Sequence, residues 1–168
     1  GNTVSSGGTS IGGGMYVAGD LTLNHSTLSG NFANAIADAK GGGGYVIGTA
    51  TVQLNSLLFN NSATSPDAEG DGGGIYAKGN LTLDTSMIIG NSAGSFSSKG
   101  GGARVVGNFT SSYSTISYNS AYGAGDGGGL FLGGSDNKIK TSTISGNGSA
   151  GRAGGVDVRS LVSPGANY

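Results

Sequence analysis

Gly72-Gly73-Gly74-Ile75-Tyr76-Ala77, followed by Ser86-Met87-Ile88-Ile89-Gly90-Asn91, is the pair of stretches on which the fold turns. Neither is alone. Glycine triplets recur at 12–14, 42–44, 72–74, 100–102 and 127–129, with a weaker copy at Ala153-Gly154-Gly155. Behind each full triplet stands the pattern Ser-x-[Leu/Ile]-x-x-Asn, which ends at Asn31, Asn61, Asn91, Asn119 and Asn147. These asparagines are 30, 30, 28 and 28 residues apart. Such a period is the mark of a repeat architecture.

Inside each copy the apolar residues alternate, as they do on a half-buried strand. Inward pairs read from this spacing are Met15/Val17, Tyr45/Ile47, Ile75/Ala77, Ala103/Val105, Leu130/Leu132 and Val156/Val158. A second strand carries Leu21/Leu23, Leu81/Leu83 and Phe109, with Val52/Leu54 displaced by one residue in the second copy and read as a bulge. The third contributes Leu28, Leu58, Ile88, Ile116 and Ile144. Three short strands per 28–30 residues describe an all-β fold, a right-handed parallel β-helix of five to six coils. An antiparallel sandwich would need hairpin turns every 8–12 residues and would not keep its register between copies. The asparagine column is read as a structural ladder, since asparagine tolerates tight turns and stacked amides bond along the axis.

Composition narrows the alternatives. Of 168 residues 37 are Gly, 24 Ser, 14 Asn and 13 Thr, too rich in turn formers for a helical domain. A net charge of −1 offers nothing to nucleic acid, and no apolar run is long enough for a membrane-spanning helix, so membrane insertion is not expected. Without cysteine there are no disulfide staples.

The paired motifs resemble the repeats of polymorphic outer-membrane proteins and related right-handed β-helix proteins, in which a Gly-Gly-Ala-Ile element alternates with Phe-x-x-Asn. The first element corresponds here to Gly72-Gly73-Gly74-Ile75 and Gly127-Gly128-Gly129-Leu130, and the second to Ile88-Ile89-Gly90-Asn91 and Ile144-Ser145-Gly146-Asn147. Leu or Ile stands where the family has Phe, and no membrane barrel follows the repeats. The resemblance implies an exported, extracellular or cell-surface module with a structural or adhesive role. It points as an alternative to carbohydrate-binding or polysaccharide-degrading β-helices.

Enzymatic activity is not expected. The outward row of the first strands, read as Tyr16, Val46, Tyr76, Arg104, Phe131 and Asp157, holds one acid and one base two coils apart, whereas acid–base chemistry needs convergent groups. No cofactor or metal is called for. Asp71 and Asp126 precede triplets but are separated by a coil carrying Lys99, and together with Asp67 and Glu69 they read as solvated turn carboxylates. His25 reads as a surface turn residue, and the sequons at Asn24, Asn60, Asn80, Asn108 and Asn147 as products of composition. An ice-binding threonine face fails, because the column Thr27, Leu57, Met87, Thr115, Thr143 is broken twice.

Two surfaces remain as candidates. Tyr16, Tyr76, Arg104 and Phe131 form a candidate ligand face for glycans. Leu57, Phe59, Met87 and Ile89 form an apolar patch suited to lateral contact, or to a cover folded back from Phe32, Ile36 and Phe96. Residues 1–168 are expected to form one domain, either a segment of a longer solenoid or a fibre subunit. Its partners would then be further repeats or copies of itself, stacked end to end.

Overall fold

The computed structural model describes residues 1–94 and 96–159. Its strands are short, and every ladder between them is parallel, stacking the chain as a β-solenoid of about five turns. The residues after each glycine triplet form the six strands of sheet 1, namely Met15–Val17, Gly44–Val46, Ile75–Ala77, Ala103–Val105, Leu130–Leu132 and Val156–Val158. Sheet 2 stacks Leu21–Asn24, Ala50–Gln53, Leu81–Asp84, Phe109–Ser112 and Lys138–Lys140. Sheet 3 stacks Thr27–Ser29, Leu57–Phe59, Met87–Ile89, Thr115–Ser117 and Thr143–Ser145. These are the three strands per coil that the alternation predicts. Residues 160–168, Pro164 among them, lie outside the described residues.

The segment between each strand of sheet 3 and the next glycine triplet holds further ladders. Sheet 4 runs through Thr3–Ser6, Phe32–Ala35, Ser62–Thr64, Ser92–Gly94, Ser120–Ala121 and Gly148–Ser149. A narrow sheet 5 joins Ser10–Ile11, Ala39–Lys40 and Gly70–Asp71, and single bridges carry it on to Lys99 and Asp126.

Sheets 1 to 3 enclose the main core. Leu58, Ile88 and Ile116 stack in register on sheet 3, fully buried, against Ile75, Leu81, Leu83 and Leu130. Volumes compensate between coils: Gly44 has no side chain, and the Met15 side chain of the preceding coil reaches into that space. The second core is thin, built from Ala33, Ala63 and Ala93 behind sheet 4 and from Ala35 and Ala39.

In the second coil the register differs from the spacing argument. Met15 pairs with Gly44 and Val17 with Val46, so Gly44/Val46 face inward, Tyr45 faces outward, and Ile47 lies beyond the strand. The triplet equivalent to 12–14 is therefore 41–43, with Gly12 and Gly41 both at positive φ. Sheet 2 follows suit. Ala50/Val52 face inward without a bulge, and the extra residue is absorbed in the next turn, where Leu54 and Asn55 both adopt positive φ.

Two hydrogen-bond ladders run along the axis. Asn31, Asn61, Asn91 and Asn119 are buried, and each Oδ1 accepts both the backbone N–H and the side-chain amide of the asparagine one coil earlier, at 2.9–3.2 Å. The amides of Asn61, Asn91 and Asn119 also donate to Leu58's column, at the carbonyls of Leu28, Leu58 and Ile88. The conserved-looking serine of each copy makes the second ladder. The N–H groups of Ser26, Ser56, Ser86 and Ser114 donate to the hydroxyls of Ser56, Ser86, Ser114 and Ser142, respectively.

Both features are testable by thermal unfolding. Ile88→Asp places an unpaired charge in the core and should cost several kcal/mol, enough to abolish the β-sheet circular dichroism. Asn91→Ala strands the Asn61 N–H, takes one acceptor from the Asn61 amide and removes a donor from three acceptors, Leu58 O, Ile89 O and Asn119 Oδ1, at about 1–3 kcal/mol for each buried group left unsatisfied. An unchanged melting temperature in either variant contradicts the packing described.

Candidate functional site

On the outer face of sheet 1, parallel register places Tyr16, Tyr45, Tyr76, Arg104, Phe131 and Asp157 in one row. Tyr45 replaces Val46, which is buried in the core. Strand pairing sets the rings one above another. Tyr16 and Tyr45 stack with centroids 5.7 Å apart and planes 8° apart, and Tyr45 and Tyr76 at 5.1 Å and 13°. Arg104 continues the pile, its guanidinium carbon 5.8 Å from the Tyr76 centroid and 4.6 Å from that of Phe131. Arg159 covers the other side of Phe131 at 5.3 Å. Cation–π contacts of this kind contribute about 0.5–2 kcal/mol each.

Three of the four residues proposed as a ligand face are thereby packed against neighbours. Tyr76 is 9% exposed and Phe131 5%, while Tyr16 stays open at one end of the row. Stacking consumes the ring faces and leaves edges and hydroxyl groups for any partner.

Beside this row runs the charged edge of sheet 5, in the order Lys40, Asp71, Lys99, Asp126. Opposite charges alternate coil by coil, as cross-strand pairing favours. Lys99 reaches Glu69, Lys40 reaches Asp38 at 2.7 Å, and Arg159 joins Asp126 and Asp157 at 2.5 and 3.2 Å. Asp71 departs from the expected solvated carboxylate: it is 1% exposed, with Arg104 beside it and Lys40 and Lys99 paired to it from the flanking coils. Arg104 Nε approaches its Oδ2 to 3.2 Å without hydrogen-bond alignment, so both carboxylate oxygens lie buried with no hydrogen-bond partner among the described residues. Burial pushes Asp71 up to about 6, against the opposing pull of Arg104 and Lys99.

The remaining candidates stand apart. His25 is exposed in a left-handed turn between sheets 2 and 3. Among the described residues no three His, Asp or Glu side chains converge where a metal ion could be held. On sheet 3, Leu57 pairs with Met87 and Phe59 with Ile89, which joins the apolar patch across two coils. Among the described residues Phe32, Ile36 and Phe96 do not fold back as a cover: Phe32 points outward from sheet 4, Ile36 is exposed, and Phe96 is 80% exposed. The alternation of sheet 4 explains this, since Ala33 and Ala35 take the inward positions and leave Phe32 on the opposite side.

Sequence spacing did not isolate Tyr45, because four consecutive glycines, Gly41 to Gly44, allow two alignments of the triplet. Its distances of 29 residues from Tyr16 and 31 from Tyr76 were the signal that would have placed it in the aromatic row.

The buried carboxylate gives a pH dependence with a definite sign. Asp71 binds its proton more tightly in the folded chain than in the unfolded one. Its contribution to stability is therefore complete below about pH 4 and is lost as pH rises through about 6. Asp71→Asn should flatten the fall in melting temperature across that window, and an unchanged slope would place the titration elsewhere.

Compared with known proteins, the chain matches no family model, no curated protein and no solved structure.

Proposed function

We propose that this chain is a structural and adhesive module of an extracellular or cell-surface protein, akin to the polymorphic outer-membrane-protein repeats that its Gly-Gly-Gly-Ile and Ile-x-x-Asn motifs resemble. The observation that carries this reading is where the polar chemistry goes. Buried asparagines and serines bond along the axis, and the outward tyrosines, arginine and phenylalanine pack on one another. Side-chain investment of this kind makes a stiff rod in a chain that has no cysteine for disulfide staples.

The rod is also polar. Along the asparagine ladder Asn31, Asn61, Asn91 and Asn119 each donate to the asparagine of the following coil and accept from that of the preceding one, so added coils can join in one orientation only. A further repeat of the same chain or a second copy stacked end to end satisfies that rule equally. Such head-to-tail contact does not close and builds filaments. The apolar patch of Leu57, Phe59, Met87 and Ile89 supplies a lateral contact between rods.

Two measurements test the reading. Antibody against the chain should label intact, unpermeabilised cells of the source organism; labelling only after permeabilisation rejects a surface location. Latex beads coated with the protein should clump or attach to cell layers well above beads coated with serum albumin. Beads that do neither reject the adhesive role.

A further inference from the structure

We propose that the outer face of sheet 4 is a trough that binds an uncharged polysaccharide chain along the solenoid axis. This names the partner class for the adhesive role above and rests on that reading, but on a different face from the aromatic row of sheet 1.

The trough follows from alternation. With Ala33, Ala63, Ala93 and Ala121 turned inward, the first outward column reads Thr3, Phe32, Ser62, Ser92, Ser120 and Gly148. The second column holds Ser5, Asn34, Thr64 and Gly94. None of these ten carries a charge. Three depressions of about 450, 290 and 230 Å³ lie along this sheet, the first two meeting at Asn34 and the third beside Tyr122.

The floor is small and polar. Ser92 donates to the Ser62 hydroxyl at 2.9 Å, and Ser62 and Thr64 lie 3.1 Å apart, so these hydroxyls are oriented by one another. A hydroxyl has one donor and two acceptor sites, and each retains capacity for an outside partner. Two aromatic rings rise from the floor. Phe32 is 47% exposed and Tyr122 58%, and the Tyr122 ring leans over Gly94, 3.9 Å from where a Cβ would stand. Among the described residues neither is stacked on another ring, in contrast to Tyr16, Tyr45 and Tyr76. They are three coils apart, about 14 Å at the spacing of parallel strands.

Chemistry selects the occupant. Nucleic acids and acidic polymers are held by clustered cations, and these outward positions offer none. A protein partner would want a contiguous apolar centre, and here hydroxyl groups separate the two rings. A neutral sugar chain matches both components, because its hydroxyls suit the serine and threonine floor while its apolar ring faces suit exposed aromatic faces. The length of the trough, six strands or about 24 Å, fits an extended chain rather than a single sugar.

Native electrophoresis in gels containing dextran, galactomannan or laminarin tests this, with polygalacturonate as the acidic comparison. The protein should be retarded by at least one neutral polymer. Phe32→Ala and Tyr122→Ala should each weaken that retardation about tenfold, as expected for loss of an aromatic anchor. Tyr113→Ala, an exposed aromatic on another turn, should have no effect, and all three variants should keep the parent melting temperature because the rings point outward. Retardation by polygalacturonate alone, equal retardation of the Phe32→Ala/Tyr122→Ala double variant, or no retardation by any neutral polymer would overturn the proposal. If neutral gels fail while coated beads still attach, the sugar assignment falls and the adhesive reading stands. If gels retard the protein but beads do not attach, the trough stands and the adhesive role falls.

Discussion

Close approaches of backbone to backbone recur coil after coil at the glycine triplets, where each of the three positions is obstructed. The first glycine of the triplet is at positive φ, as at Gly72 and Gly100. A Cβ on the second would stand 2.1 Å from the carbonyl oxygen of Ser92 at Gly73, or 2.3 Å from that of Ser120 at Gly101. A Cβ on the third would stand 2.6 Å from the carbonyl oxygen of a glycine one coil on, Gly102 for Gly74 and Gly129 for Gly102, and would also press on the asparagine amide, 3.0 Å from Asn91 Cγ and 2.9 Å from Asn119 Cγ. Real Cβ atoms do not occupy such positions, so the triplet and the asparagine are one constraint. The asparagine amide can be buried only where the facing glycine yields the room, and sheet 4 can close against sheet 1 only across the middle glycine. Every other feature of the cross-section is arranged around that pinch.

In-register stacking then governs the outside as firmly as the inside. Each outward residue meets its equivalent one coil away, so a face is stable when neighbours in the row complement one another. The charged edge achieves this by alternation, Lys40, Asp71, Lys99, Asp126, because like charges directly opposite repel. The aromatic row achieves it by stacking, with Arg104 filling the place of a ring between Tyr76 and Phe131. Asp71 lies where these two rows meet. Its buried carboxylate opposes the Arg104 charge without hydrogen-bond alignment, which leaves it balanced between ionised and neutral forms at mild pH.

Much of this was legible in the chain itself. The inward residues Leu58, Ile88 and Ile116 and the asparagine column followed from spacing alone, because a two-residue alternation repeated at constant period leaves one register. The second coil escaped for the opposite reason. Gly41 to Gly44 are chemically identical, and only the partners of Gly44 and Val46 decide which three form the turn. Sheet 4 escaped because its inward residues are alanines and its outward ones mostly serine, threonine and glycine, a contrast too weak in hydropathy to separate from a loop. The serine ladder was visible as a recurring residue, but its bond, from one N–H to the hydroxyl one coil later, depends on a stacking that sequence spacing does not contain.

The same reasoning separates the surfaces that maintain the rod from those free to meet something else. A row that satisfies itself has little to offer a partner: the faces of Tyr76 and Phe131 are spent on Arg104, and Lys40, Lys99 and Asp126 of the charged edge are paired with Asp38, Glu69 and Arg159. Sheet 4 differs because small residues cannot saturate one another across a spacing of about 4.8 Å. The Ser62 hydroxyl meets those of Ser92 and Thr64 and each keeps unused bonding capacity, and Phe32 finds Thr3 and Ser62 beside it rather than another ring. Unsatisfied polar capacity and exposed aromatic surface persist together only where the ladder rule cannot pair like with like. The outer face of sheet 4 meets that condition, and the depressions lie along it.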